Sequence, residues 1–205
     1  MGVITFLIKH RYGEYGLLSY IDLEVALSVS VVASFNFFHP QTRNASVDQL
    51  LFDIITFTIG IILSILVIKN ISLGMGQDLY DGTIISFLQM RGRKTIFLLS
   101  YFIDVLLIGG LFVLISELIF LLSSFNSSFT WINIFLSEYL FLCNSSYIIA
   151  ILTKRPFRSF FMSISLIFLV LGIEIIGYMF IFNYLLPLDL VLGYLAYYAF
   201  RKVQI

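Results

Sequence analysis

Charge is what this chain has least of: only 12% of its 205 residues are Asp, Glu, Lys or Arg, against about 25% in soluble domains. A deficit of that size, with apolar runs of about 18 residues or more, excludes an ordinary soluble domain and places the chain in a bilayer. Cysteine is as scarce. The single Cys143 excludes an internal disulfide and, lying within an apolar run, fits filler at a helix interface. Histidine occurs only at His10 and His39, both at the edges of apolar runs. No HExxH, GxSxG, cysteine pair or GxxxxGK[ST] loop is present, which excludes those routes to metal, acyl-transfer and nucleotide chemistry. No catalytic residue, metal site or cofactor is therefore expected in this chain. Net charge is zero, so nothing in the balance of charge points to nucleic acid as a partner.

What is there in quantity is apolar, at 60% of all residues. The pattern predicts an all-α polytopic membrane protein with six spans, at 17–38, 50–68, 95–122, 129–152, 159–182 and 185–200. Residues 2–16 pair a short greasy stretch with Lys9, His10 and Arg11, the composition of an amphipathic helix lying in the interface or, equally, of a frayed leader to the first span. The cations follow the apolar run Met1–Ile8 instead of preceding it, and the run is short for a signal-peptide core, so a mature segment is expected. With the N-terminus inside, all of the 12 Lys and Arg except Arg43 fall at cytoplasmic edges. That asymmetry predicts both termini in the cytoplasm. No linker, repeat or low-complexity tract divides the chain, so one transmembrane domain over 1–205 is expected.

Acids inside the spans are the sharpest anomaly. Asp104, Glu138 and Glu174 fall deep in the third, fourth and fifth spans, with Glu117 nearer the outer end of the third. No Lys or Arg lies at a comparable depth in the sequence to pair with them, and an unpaired charge there costs a few kcal/mol. Two roles fit: a polar pathway through the membrane, or hydrogen-bonding contact between helices. In the first span Asp22, Ala26, Ser30 and Ser34 recur at helical spacing, a small and polar stripe of the kind found where helices meet closely.

The longest polar interruption is 74–94, GMGQDLYDGTIISFLQMRGRK. Asp78, Asp81 and Gly82 supply a helix start, with acids near the positive end of its dipole. Ile84, Ile85, Phe87 and Leu88 supply an apolar face, and Arg91, Arg93 and Lys94 supply cations at the membrane edge. On residue types alone the segment is either a short cytoplasmic helix that a partner grips or an interfacial loop with ordinary inside-positive charge.

The run Asp78-Leu-Tyr-Asp81-Gly82-Thr83-Ile84, then Phe87-Leu88, then Arg91-Gly-Arg93-Lys94 before a long span, resembles the loop between the second and third spans of ATP-binding-cassette (ABC) transporter permeases of the type-2 exporter class. Met90 or Arg91 stands where those permeases carry proline, and Asp78 where glutamate is usual. The resemblance implies that Asp78, Asp81, Gly82, Thr83, Phe87, Leu88 and Arg91 form a coupling helix seated in a separate nucleotide-binding ATPase subunit. It implies a permease subunit with no catalytic activity of its own, ATP and magnesium being bound by that partner. A second permease subunit, identical or homologous, would complete the pathway. The spacing of the residues themselves, not the resemblance, puts Asp22, Ala26, Ser30, Ser34 and Glu174 at the seam or along it, and Asp104 and Glu138 are the candidate intramembrane polar sites. The location implied is the plasma membrane of a prokaryote. A rival reading is a non-transporting anchor or scaffold subunit of a larger membrane complex, and a third is a proton- or cation-conducting protein using Asp104, Glu138 and Glu174.

Overall fold

The computed structural model describes residues 3–13, 16–38, 45–123, 130–175 and 186–203, and every element among them is a helix. In chain order these are α1 (Val3–Tyr12), α2 (Gly16–Phe38), α3 (Ala45–Leu73), the short α4 (Met75–Tyr80), α5 (Thr83–Met90) and α6 (Arg93–Tyr101). A π-turn (Phe102–Leu106) joins α6 to α7 (Leu107–Leu122), and α8 (Thr130–Thr153), α9 (Pro156–Ile175) and α10 (Leu186–Lys202) follow. The segment 74–94 is thus two short helices, broken where Gly82 takes a left-handed φ of 75°. Glycine is the residue that reaches this conformation without strain, and it closes α4 as α5 begins.

Among the described residues four helical stretches are long and apolar enough to cross a membrane, Gly16–Ser34, Ile54–Tyr80 (running from α3 through α4), Arg93–Leu122 (α6 to α7) and Trp131–Thr153, which is the framework of an integral membrane protein. Pro156–Gly172 is apolar but shorter, and α10 has 17 residues. The expected fifth span runs on to 182, and residues 176–185 lie outside the described ones.

Apolar residues in lipid gain little by meeting one another, so such helices associate by close packing and internal hydrogen bonds. α8 is the hub, in contact with α3, α7, α9 and α10. One side of it buries Trp131, Phe135, Tyr139 and Tyr147, and its polar residues Ser137, Glu138, Asn144 and Ser146 are buried as well. The Phe112 and Phe135 rings lie 4.8 Å apart and the Phe120 and Trp131 rings 5.6 Å, separations at which aromatic pairs contribute beyond their area.

Two glycines set the approach of neighbours to α8. A Cβ on Gly60 would come within 2.6 Å of Glu138 Oε2, and one on Gly109 within 2.6 Å of the Tyr139 ring. Gly109→Ala is therefore expected to cost about 1–3 kcal/mol by overpacking, read as earlier thermal unfolding of the detergent-solubilised chain. Gly110→Ala, whose Cβ would meet nothing within 4 Å, is the neutral control.

α1, α4, the 154–156 turn and the C-terminal end of α10 gather at one end of the bundle. There a Cβ on Gly76 would lie 3.4 Å from Pro156 Cα. Arg93 Nη1 donates to the carbonyls of Arg201 at 2.8 Å and Val203 at 2.9 Å, closing the last turn of α10.

Candidate functional site

α1 folds back against α4, α5 and the π-turn. Leu7 is buried on its inner side, and the Phe6 and His10 rings meet Phe87 of α5 edge-on at 5.9 and 5.4 Å. The same face carries Arg11, whose side chain is only 2% exposed. Its Nη2 lies 2.8 Å from Asp78 Oδ2, and its Nε lies 3.5 Å from Asp104 Oδ1. These contacts are ion pairs and not aligned hydrogen bonds; a wide, planar guanidinium spreads its charge far enough to face two carboxylates, as a compact ammonium does not.

Both acids have further partners. His10 Nε2 sits 3.1 Å from Asp78 Oδ1, and Thr83 Oγ1 donates to that oxygen at 3.0 Å. Tyr147 Oη donates to Asp104 Oδ2 at 2.7 Å. Burial works against the Arg11 charge, but Asp104 and Asp78 outweigh it and hold the guanidinium pKa above its ordinary value. Burial likewise pushes the Tyr12 phenol upward, so it stays a hydrogen-bond donor.

The π-turn is the third part of this knot. A π-turn loosens the regular helical ladder, and two carbonyls in this one accept outside bonds. Tyr12 Oη donates to Ile103 O and Tyr139 Oη to Val105 O, each at 2.8 Å. Asp104 lies between them in sequence, so α1 and α8 grip the third expected span at one point. A cleft of about 350 Å³ opens beside the knot, lined by His10, Arg11, Lys69, Asn70, Asp78 and Thr83 among others.

The expectation that no Lys or Arg reaches the depth of the intramembrane acids is corrected here: Arg11 pairs with Asp104. The sequence places Arg11 in an interfacial helix, and it reaches Asp104 because α1 packs on the bundle.

The residues expected to form a coupling surface divide between two sides. Asp78 and Phe87 are buried against α1, and Leu88 is half-buried against the core. Asp81, Thr83 and Arg91 are exposed, Gly82 is half-buried, and Gln77 donates to Asp81. The outer surface of this segment also presents Tyr80, Ile85 and Met90, at 62%, 45% and 56% exposure.

Asp22, Ala26 and Ser30 form an exposed face of α2, with Ser34 half-buried. The opposite face packs on α7, where Ser28 Oγ meets Ser116 Oγ at 2.9 Å. It also buries Glu24 completely, with no hydrogen-bond partner for its carboxylate among the described residues. Glu138 is fully buried in α8 against Gly60 of α3, and Glu117 accepts a bond from Trp131 Nε1 at 3.1 Å. The Glu174 side chain lies outside the described residues.

Sequence reasoning missed Arg11, Tyr12 and Tyr147, whose partners are distant in the chain. It passed over Glu24, although Glu24 and Ser28 sit one helical turn apart, and Asp189, which is 2% exposed in α10. Among the described residues no group of three His, Cys, Asp or Glu is placed to hold a metal ion. Compared with protein-family models, curated proteins and solved structures, the chain matches none.

Proposed function

We propose that this chain is the membrane-spanning permease subunit of an ABC exporter, driven by ATP that separate ATPase subunits bind with magnesium and hydrolyse. In this reading α9 and α10 are the fifth and sixth spans, both termini face the cytoplasm, and the membrane is the plasma membrane of a prokaryote. The observation that carries the proposal is the two-sided seating of α5. Behind it, Phe87 rests on Phe6 and His10, and Arg11 ties the α4–α5 corner through Asp78 to Asp104 in the third span. In front, Tyr80, Ile85 and Met90 are exposed apolar residues with Arg91 at their edge. A helix pushed from below moves a span only if it is braced behind, and exposed apolar side chains next to cations suit a protein partner.

The exposed stripe Asp22, Ala26 and Ser30 on α2 supports a second permease subunit, since small residues facing lipid gain nothing there.

The test is purification of the chain through a tag at Ile205, with identification of the proteins that come with it. A P-loop ATPase is expected to co-purify, and Ile85→Asp with Met90→Asp is expected to remove it while membrane insertion is kept. ATPase retained at wild-type level by that variant would overturn the coupling surface. Electron carriers or pilus components in place of an ATPase would assign the chain as a scaffold subunit instead.

A further inference from the structure

A second cavity, of about 340 Å³, lies between α6 and α10 and belongs to none of the machinery above. Its walls are aromatic: Phe97 and Tyr101 of α6, Tyr194 and Tyr197 of α10. The Phe97 ring lies 5.4 Å from Tyr197 and 5.9 Å from Tyr101. Asp189 also lines it, in a residue only 2% exposed, and neither carboxylate oxygen has a hydrogen-bond partner among the described residues.

The neighbouring amide does not relieve that carboxylate. Asn144 Nδ2 donates to the backbone carbonyl of Asp189 at 2.9 Å, and Asn144 Oδ1 accepts from Tyr101 Oη at 2.6 Å. This fixes the Asn144 amide and holds α6, α8 and α10 around the cavity. Lys94 lines the same groove, is exposed, and forms no ion pair with Asp189. The rim is greasy, with Leu98 and Leu190 at 51% and 78% exposure.

A buried carboxylate without a partner is costly and calls for a cation or a donor. Aromatic faces around it favour a cation whose charge is spread over alkyl groups and weakly hydrated. The volume lies in the range of small-molecule sites, about 300–1,000 Å³. We propose that the α6–α10 groove binds a lipophilic organic monocation, its ammonium head beside Asp189 among Tyr101, Tyr194 and Tyr197, and its aliphatic tail along Leu98 and Leu190. A polyvalent cation is disfavoured by Lys94. The site stands on its own groups and does not depend on an ATPase partner.

The experiment is equilibrium dialysis of radiolabelled dodecyltrimethylammonium against the full chain in phosphatidylcholine nanodiscs, with empty nanodiscs and labelled dodecanol as controls. Saturable binding of one cation per chain is expected, with none for dodecanol. Asp189→Asn is expected to weaken it about tenfold or more and Tyr194→Ala about threefold, while Asp189→Glu retains it. Where Asp189→Asn fails to insert, Tyr194→Ala carries the test, because that ring is 64% exposed and its loss leaves the bundle packed. Equal, non-saturating uptake by wild type and variants would overturn the proposal. So would ready disulfide cross-linking of Leu190→Cys between two copies without saturable uptake, which would give the groove to a second chain.

Discussion

Arg11→Leu is expected to destabilise the chain by about 3–5 kcal/mol, the cost of breaking a buried ion pair by removing one partner. An exposed pair would be worth about 0–1 kcal/mol, so burial decides the magnitude. The side chains of Arg11, Asp78 and Asp104 are 2%, 3% and 0% exposed. Leucine fills only the part of the space nearest the backbone and leaves two carboxylates that were sharing one cation. Arg11→Lys is expected to fall between, since a compact ammonium cannot face both acids as the guanidinium does. Removing one of the stranded charges should return part of the loss, so Arg11→Leu with Asp104→Asn is expected to be more stable than Arg11→Leu alone. Thermal unfolding of each variant in the same detergent reads all three. A loss under about 1 kcal/mol for Arg11→Leu would place the cluster in solvent and remove the brace behind α5.

The helices long and apolar enough to cross a membrane were legible because an apolar run of that length has few other uses. Arg93–Leu122 and Trp131–Thr153 end within a few residues of the expected spans 95–122 and 129–152. Nothing in that one-dimensional pattern separates a cation resting on the membrane surface from one folded into the bundle, and Arg11 is the second kind. Its capture depends on α1 turning back, a tertiary event that leaves no trace in local periodicity. The π-turn is equally silent, because Phe102–Leu106 reads as ordinary span. On α2 the visible stripe was Asp22, Ala26 and Ser30, which is the exposed face. The face carrying Glu24 and Ser28 is the one packed on α7, and periodicity alone does not say which of two opposed polar stripes turns inward. In the 74–94 segment Asp78 lies inside α4, and of the apolar residues of α5 Ile84 and Phe87 are buried and Ile85 is exposed. The helix over Thr83–Met90 was readable. That Asp78 and Phe87 are occupied by α1 was not, because their partners are Arg11, His10 and Phe6.

The second large effect is expected at a residue with no charge. Gly74 links α3 to α4 with φ −90° and ψ −84°, so its role does not rest on left-handed backbone. Space is the reason: a Cβ there would overlap Arg11 Nη1 and the carbonyl oxygen of Asn70. That carbonyl is backbone, already accepting from Gly74 N at 2.7 Å, and has little room to move. The guanidinium is the part that can leave, and leaving breaks its pairs with Asp78 and Asp104. Gly74→Ala is therefore expected to lose about 3 kcal/mol or more by the same stranded-charge route. The double variant Gly74→Ala with Arg11→Leu separates this from a local backbone defect. Once the guanidinium is gone its share of the overlap is gone and only the Asn70 carbonyl remains to be relieved, so the two losses should fall short of additivity by about 1–3 kcal/mol. Full additivity would mean that the glycine serves the α3–α4 corner alone and that Arg11 reaches its acids without it.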